Sequence, residues 1–198
     1  MAGFASVVVR PEVVRAVAKG NRDAQESIYR DFSKPVYTMA FQILQNMQLA
    51  EDVTHDTFVA VFTKSPKLRD PTSFSGWIRR IAVNHCLMVL RSSSHKHAVP
   101  WDEQTLAEDS TVVDHERTID LERALQVLPP ATRLVVWLYV VEGYTHAEIG
   151  NLFEKSQSFS KSQLSRALSK LRHSISSPHL SIDQIFRSTT AVRSCEAR

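Results

Sequence analysis

Residues 129–172 read PPATRLVVWLYVVEGYTHAEIGNLFEKSQSFSKSQLSRALSKLR, and this stretch decides the fold of the second half of the chain. Pro130 suits the first position of a helix, where its missing N–H group costs no hydrogen bond. Thr145 and Glu148 have the spacing of a capping box, which predicts the start of the next helix. A last helix, rich in basic residues, is expected over about 160–174. Two helices joined by a short turn, the second of them basic, predict a helix-turn-helix.

The basic helix of this motif carries charge of one sign. No Asp or Glu occurs between Lys155 and Arg172, so this segment can release counterions from the phosphates of a bound duplex. Ser162, Gln163 and Arg166 lie in the early turns, where a recognition helix reaches base edges in the major groove. A solvated basic helix without a ligand is the alternative interpretation. The candidate duplex-binding residues are Lys155, Ser158, Phe159, Lys161, Ser162, Gln163, Arg166 and Lys170.

The first half of the chain has the apolar periods of four helices with short connections. An apolar residue at every fourth position over 24–32 marks the first helix. Pro35 is well placed to begin the second helix, and the third is predicted over 49–62. The fourth has its apolar core over 77–90.

A basic loop bounded by prolines, which reads KSPKLRDP at 64–71, lies between the third and fourth of these helices. Its prolines prevent a regular helix, and Thr72 or Ser73 is expected to cap the helix that follows. Basic residues beside an aromatic ring such as Trp77 can bind single-stranded nucleic acid by phosphate pairing and base stacking. Phe74 and Trp77 are equally well explained as core residues. The candidate residues are Lys64, Lys67, Arg69, Phe74, Trp77, Arg79, Arg80 and Asn84.

The composition excludes several classes of protein. The 198 residues carry a formal net charge of +3 and only five glycines, which argues against a turn-rich β architecture and a phosphate-cradling loop. Cys86 and Cys195 have no motif spacing, so a reduced protein is expected, with Cys86 in the core. His85 and Cys86 diverge around a helix, so we expect no metal site, no cofactor and no catalysis. The apolar run over 7–9 is too short to be the core of a signal peptide, so a cytoplasmic protein is expected.

These patterns together predict an all-α protein of two small helical domains joined by a flexible linker. An N-terminal segment over 1–20 precedes the first domain, which is expected over 21–91. The acidic stretch 92–118 has little apolar period and can bury little surface, so it is interpreted as the linker. The second domain is expected over 119–173, and 174–198 form a C-terminal extension.

Five segments resemble motifs of the sigma-70 family, in the family's order and at its spacing. They read AEDVTHDTF at 50–58, FSGWIRRIAVN at 74–84, LPPATR at 128–133, GYTHAEI at 143–149 and KSQLSRA at 161–167. Together they cover both predicted domains. The chain is therefore similar to the small sigma factors of the extracytoplasmic-function type.

The resemblance implies binding to core RNA polymerase, through its β′ clamp and β subunits, and placement of that enzyme on a promoter. The basic loop and the helix after it would engage the −10 element, and the basic helix of the helix-turn-helix would engage the −35 element. An anti-sigma factor is a further expected partner, and no small-molecule substrate is expected. The implied polymerase-binding residues are Glu51, Asp52, Thr54, His55, Asp56 and Phe58.

Three positions depart from the family pattern. Met88 stands where an acidic residue is usual, Gln163 replaces a common Arg, and residues 158–160 read Ser-Phe-Ser at a turn that usually reads Gly-Thr-Val. Without glycine, a left-handed residue at that turn would cost about 1 kcal/mol. The −35 contact is therefore expected to be weakened.

One other function fits part of the sequence. A helix-turn-helix regulator that binds an operator without core polymerase would explain residues 119–173. It would leave the segment 50–58 and the basic loop unexplained, so the sigma-factor function is preferred.

Overall fold

The computed structural model describes Phe4, Val7 and residues 9–68, 70–97 and 125–174, with the side chains of 93–97 and 172–174 not described. The chain divides into two compact units, Met1–His97 and Ala98–Arg198. Within the described residues there are seven α-helices and no strand, which confirms the all-α prediction. No helix in this part of the chain is both long and apolar enough to span a membrane.

The first unit is built from four helices. They are α1 (Pro11–Ala18), α2 (Arg22–Leu44), α3 (Met47–Lys64) and α4 (Phe74–His97), with 3-10 turns at Ser65–Lys67 and Pro71–Ser73. α2, α3 and α4 pack on one another, while α1 contacts α2 and both turns. The core between them includes Cys86, as predicted, and burial raises the pKa of its thiol to about 12.

α2 is one helix, which corrects the prediction of two helices divided at Pro35. Asn21 caps its start, because the Asn21 side chain accepts a hydrogen bond of 2.8 Å from the Ala24 N–H. Pro35 lies inside the helix and costs it about 3 kcal/mol. The apolar stripe continues on both sides of the proline, with Phe32 and Met39 fully buried. Burial of each such side chain contributes about 1.5–3 kcal/mol, which keeps the helix continuous.

α4 begins and ends differently from the prediction. Asp70, rather than Thr72 or Ser73, is the capping residue of the 3-10 turn that leads into the helix. The hydroxyl and the backbone N–H of Thr72 both donate to the Asp70 carboxylate and hold its pKa below the ordinary value of 3.8. At the other end the helix continues through residues 92–97, which the sequence assigned to the linker. The predicted linker beyond His97 lies outside the described residues.

The second unit contains α5 (Pro130–Val140), α6 (His146–Phe153) and α7 (Gln157–Ser174), and α7 packs against both other helices. The predicted capping box is confirmed at the start of α6. The Thr145 hydroxyl accepts from the Glu148 N–H at 3.2 Å, and the Glu148 carboxylate accepts from the Thr145 N–H at 2.7 Å. α6 and α7 form the predicted helix-turn-helix. The start of the second domain at 119–124 and the extension over 175–198 lie outside the described residues.

The turn of this motif lies earlier in the chain than predicted. α6 ends at Phe153, Glu154 adopts a left-handed conformation with φ of 57°, and α7 begins at Gln157. Residues 158–160 are therefore the first turn of α7, and the backbone strain expected there is absent. That cost, about 1 kcal/mol, falls on Glu154 instead.

Candidate functional site

An apolar groove of about 600 Å³ lies between α2 and α3. Its wall contains two aromatic contacts: the ring centroids of Tyr29 and Phe58 are 4.7 Å apart, and those of Phe58 and Phe62 are 5.9 Å apart. Tyr29 and Val59 keep 49% and 51% of their surface exposed. Exposed apolar side chains around a concave surface are typical of a site that buries the side chains of a partner protein.

The groove includes most of the residues predicted to bind polymerase. Thr54 and Phe58 are almost fully buried in its floor, and the Thr54 hydroxyl donates a hydrogen bond of 2.7 Å to the Ala50 carbonyl. Asp52 and Asp56 are exposed but do not line the groove. The lining residues from α3 are Glu51, Thr54, His55, Phe58, Val59 and Phe62.

The half of the groove that α2 provides was not predicted from the sequence. Tyr29, Ser33 and Tyr37 line it, together with Lys34. The first three recur every four residues and therefore share one face of the helix. These residues follow the buried positions 28, 32 and 36 by one; Tyr29 is exposed, while Ser33 and Tyr37 are half-buried. A tyrosine at both ends of this stripe was the available signal.

The basic loop and the exposed face of α4 form a second candidate surface. Phe74 is only 1% exposed and belongs to the core, so its predicted contact with nucleic acid is wrong. Its ring lies 5.8 Å from that of Trp77, between centroids, and supports the half-buried indole. Arg69 lies outside the described residues. The remaining candidates are Lys64, Lys67, Arg80 and Asn84, which are exposed, and Arg79, which is half-buried.

His85 and Cys86 follow this surface along α4. Burial lowers the pKa of the half-buried His85, an effect that Asp56 opposes and Lys64 reinforces. Cys86 is fully buried. In the described part of the chain, no group of three His, Cys, Asp or Glu side chains is placed to hold a metal ion.

α7 turns one face toward the core of the second unit. Ser160, Gln163, Ala167 and Leu171 form a buried stripe at helical spacing. Gln163 is 2% exposed, and its side-chain oxygen accepts a hydrogen bond of 2.6 Å from the Thr132 hydroxyl. The predicted base contact of Gln163 is therefore wrong, because its amide is used inside the domain.

The other predicted duplex-binding residues lie in the turn before α7 and on the sides of α7 that do not face the core. Phe159 is half-buried and packs against Phe153, with 5.1 Å between ring centroids. Lys170 is half-buried as well. The exposed residues among them are Lys155, Ser158, Lys161, Ser162 and Arg166. Exposed lysine and arginine side chains can contact successive phosphates of a duplex.

A histidine that the sequence analysis did not consider joins α5, α6 and α7. The His146 ring stacks on Tyr139, with 4.4 Å between centroids and 13° between planes. Its Nδ1 lies 3.0 Å from the hydroxyl of Ser160 on α7. Burial lowers the pKa of His146, and the nearby Lys161 lowers it further. The neutral imidazole is therefore favoured in the folded state.

Arg133 fixes the entry to α5. Its side chain is buried, and it donates hydrogen bonds of 2.8 Å to the Leu125 carbonyl and 2.9 Å to the Leu128 carbonyl. Buried backbone carbonyls require a hydrogen-bond partner, and the Arg133 guanidinium provides one for both of these carbonyls. Burial lowers the pKa of Arg133 to about 10, so the guanidinium stays charged at neutral pH. This bonding accounts for the arginine of the segment 128–133.

Two family descriptions match the chain. Sigma-70 region 2 matches residues 28–96, which contain the groove and the basic loop. Sigma-70, region 4 matches residues 118–171, which contain the helix-turn-helix.

Curated proteins similar to this chain are sigma factors. RNA polymerase sigma factor CarQ of Myxococcus xanthus is 31% identical over 77% of this chain and 90% of its own length. ECF RNA polymerase sigma factor SigE of Mycolicibacterium smegmatis is 32% identical over 78% of this chain, and the chain spans 64% of that protein. ECF RNA polymerase sigma factor SigM of Mycobacterium tuberculosis is 26% identical over 81% of both chains.

Two solved structures share the fold. CnrH in complex with the cytosolic domain of CnrY is 20% identical, covers 83% of this chain and 96% of its own, and superposes with a TM-score of 0.52. RpoE of Bartonella quintana in complex with the anti-sigma factor NepR is 17% identical, covers 75% of this chain and 94% of its own, and also gives a TM-score of 0.52. At these identities the likeness concerns the fold alone.

Proposed function

Because the chain belongs to the extracytoplasmic-function group of the sigma-70 family, we propose that it binds core RNA polymerase and directs it to promoters. The first unit binds the polymerase and the −10 element, and the second unit binds the −35 element. The polymerase is found in the cytoplasm, so the protein acts there.

The observation that carries this proposal is the groove between α2 and α3. Tyr29 and Val59 hold about half of their surface in solvent although they border a concave, apolar surface. Covering them with the side chains of a partner would release apolar surface from water. Lys34 and Glu51 lie at the same groove and can pair with charges of the polymerase that flank the apolar contact. Asp52 and Asp56 lie beside it and serve as further polymerase contacts.

The −10 element is proposed to contact the basic loop and α4. Lys64 and Lys67 are exposed on the loop side, and Arg80 and Asn84 are exposed on α4. The two lysines and Arg80 can pair with phosphates, and the Asn84 amide can hydrogen-bond to them. The half-buried indole of Trp77 can stack on a base that has left the helix. Arg79 and Arg69 add two further positive charges to this part of the sequence.

The −35 element is proposed to contact the exposed face of α7. Ser158 and Ser162 can hydrogen-bond to phosphates or base edges, and Arg166 can form a bidentate contact with guanine. Lys155 and Lys161 are exposed beside them and supply phosphate contacts. Phe159 and Lys170 are half-buried and flank this face, so both are within the proposed contact.

An anti-sigma factor is a further proposed partner. RpoE of Bartonella quintana has the same fold and was solved with the anti-sigma factor NepR. The apolar groove between α2 and α3 is the surface on which such a protein would exclude the polymerase. The other function considered, a regulator that binds an operator without core polymerase, is not favoured, because residues 28–96 match sigma-70 region 2.

The groove is tested with a pair of matched substitutions on α3. Val59→Glu places a carboxylate in the groove, whereas Met47→Glu places one on the same helix at a site that is 64% exposed and does not line the groove. Burying an unpaired carboxylate costs several kcal/mol, so Val59→Glu should weaken the affinity for core polymerase by at least about thirtyfold. Met47→Glu should bind normally. Equal binding by both variants would contradict the assignment of the groove.

The function as a whole is tested by transcription in vitro with purified core polymerase and fragments of genomic DNA. Native protein should support initiation at discrete start sites, and Val59→Glu should support less. An operator-binding regulator would instead bind a duplex fragment in the absence of core polymerase and would produce no new start sites. That outcome would reject the sigma-factor function.

A further inference from the structure

Phe4 and α1 pack into the first unit although they lie outside the matched sigma-70 region, which begins at residue 28. Phe4 is 2% exposed, and Val14 and Val17 of α1 are equally buried. α1 also contacts the two 3-10 turns that make up the basic loop. These residues therefore form a buried layer against the base of the loop.

A chain of aromatic rings connects this layer to Trp77. The ring of Phe4 lies 6.2 Å from that of Phe32, between centroids, and Phe32 meets Phe74 edge to face at 6.4 Å. Phe74 in turn lies 5.8 Å from Trp77. Aromatic pairs at these separations attract one another beyond the gain from area burial alone. The orientation of the half-buried indole is thus coupled by packing to Phe4.

A hydrogen bond fixes Val7 to the start of α4. The Ser75 hydroxyl donates to the Val7 carbonyl at 3.0 Å, across 68 positions of sequence. Ser75 lies between Phe74 and the glycine that precedes Trp77, immediately after the second 3-10 turn. This bond therefore holds the point at which the loop becomes helix.

Most described residues of the loop are exposed. Ser65 is buried, but Lys64, Lys67, Asp70 and Ser73 are all exposed. Asp70 organises the second turn by local bonds: its carboxylate accepts from Thr72, and its carbonyl accepts from the Ser73 hydroxyl at 2.8 Å. A polar loop of this kind gains order mainly from the elements that pack against its base. These are α3 and α4, which adjoin it in sequence, and α1, which lies far from it in sequence.

We propose that Phe4, Val7 and α1, here called the N-terminal brace, are a positioning element for promoter binding. The brace holds the basic loop and Trp77 in the conformation that accepts the unpaired −10 strand. The loop therefore loses little conformational entropy when the strand binds. Phe4 and Ser75 are its positioning residues, since they act through Trp77 and the loop. The inference rests on the proposed function of the first unit.

The brace is tested by Ser75→Ala in holoenzyme assembled from the full chain and core polymerase. The probe is a single-stranded DNA that native holoenzyme selects from a random pool, with a scrambled strand for comparison. Loss of one hydrogen bond that orders the site should weaken binding of the selected strand about threefold to tenfold. Affinity for core polymerase should be unchanged, because the groove lies between α2 and α3. Ser75→Thr, which keeps a hydroxyl, should restore binding of the strand.

Two controls separate positioning from general damage to the fold. Ser92→Ala makes the same change on α4, at a hydroxyl that bonds only locally to the Val89 carbonyl at 2.9 Å, and should bind the strand normally. Phe4→Ala removes the far end of the aromatic chain and should weaken strand binding at least as much as Ser75→Ala does. Hydrogen exchange should become faster in residues 65–74 of both brace variants and not in α3.

Each outcome decides the inference. Full affinity of Ser75→Ala and Phe4→Ala for the selected strand would overturn the brace and leave the proposed function standing. Parallel loss of strand and polymerase binding would assign the brace a merely structural role. If native holoenzyme selects no strand at all, the proposed −10 contact fails and the brace fails with it.

Discussion

Gly150 provides the sharpest test of how the helix-turn-helix is built. A Cβ at this position of α6 would lie 2.9 Å from the Lys155 carbonyl oxygen, 2.9 Å from the Ser156 carbonyl carbon and 3.0 Å from the Gln157 nitrogen. All three atoms belong to the backbone of the turn, so no side-chain rotation can relieve the contact. Gly150→Ala must therefore displace the turn that begins α7.

The magnitude follows from two opposing effects. Alanine favours a helix over glycine by about 1 kcal/mol. Overpacking typically costs about 1–3 kcal/mol. The cost at Gly150 should lie near the upper value, because all three neighbouring atoms are backbone atoms that cannot rotate away. We therefore expect Gly150→Ala to destabilise the second unit by about 2 kcal/mol, which is a factor of about 30 in its opening equilibrium.

Hydrogen exchange measured on peptides from residues 130–171 of the full chain checks this value. Gly76→Ala is the matched control, because a Cβ at Gly76 in α4 meets nothing within 4 Å. That substitution should stabilise α4 by about 0.5–1 kcal/mol. If Gly150→Ala slowed exchange in 130–171 while Gly76→Ala behaved as stated, the close approach in the turn would not be a determinant of stability.

Two further predictions concern the second unit. Arg133→Met removes the donor to the carbonyls of Leu125 and Leu128 and should destabilise this unit by about 2–4 kcal/mol, measured by the same exchange experiment; a change below about 0.5 kcal/mol would contradict the role of Arg133. The pKa of His146 is lower in the folded state, so as the pH falls the unfolded chain binds a proton first. The contribution of His146 to stability is therefore full above about pH 6.5 and is lost as the pH falls through the folded-state pKa. His146→Gln should therefore lose less thermal stability than native protein between about pH 7 and about pH 5, and identical losses would refute the assignment.

Much of the fold was predictable because it depends on local chemistry. The Thr145–Glu148 capping box and the start of α5 at Pro130 involve neighbours in sequence, and both are confirmed. The helix divided at Pro35 was wrong, since a rule about one residue cannot weigh the apolar burial on either side of it. Gly150 was overlooked because its close neighbours, at 155–157, come near only when the turn has formed.

The candidate site was predictable to a smaller extent. The sequence singled out Glu51, His55 and Phe58, and the structure places them together in one groove. The sequence did not indicate that Tyr29 of α2 completes that groove, because the apolar period of one helix does not show which other helix packs against it. No motif marked α1, and its contacts with the basic loop are visible only in the folded unit.

The sequence by itself determined that the chain forms helices, that its second half contains a helix-turn-helix, and that the last helix of this motif is basic. Helical period and capping are short-range properties, so they can be read without a structure. Only the tertiary structure decided which face of each helix is turned inward. Gln163 and Phe74 were expected to meet nucleic acid, yet Gln163 bonds Thr132 inside the second unit and Phe74 packs in the core of the first. Helical spacing groups residues onto faces, but the neighbouring helices determine which face is buried.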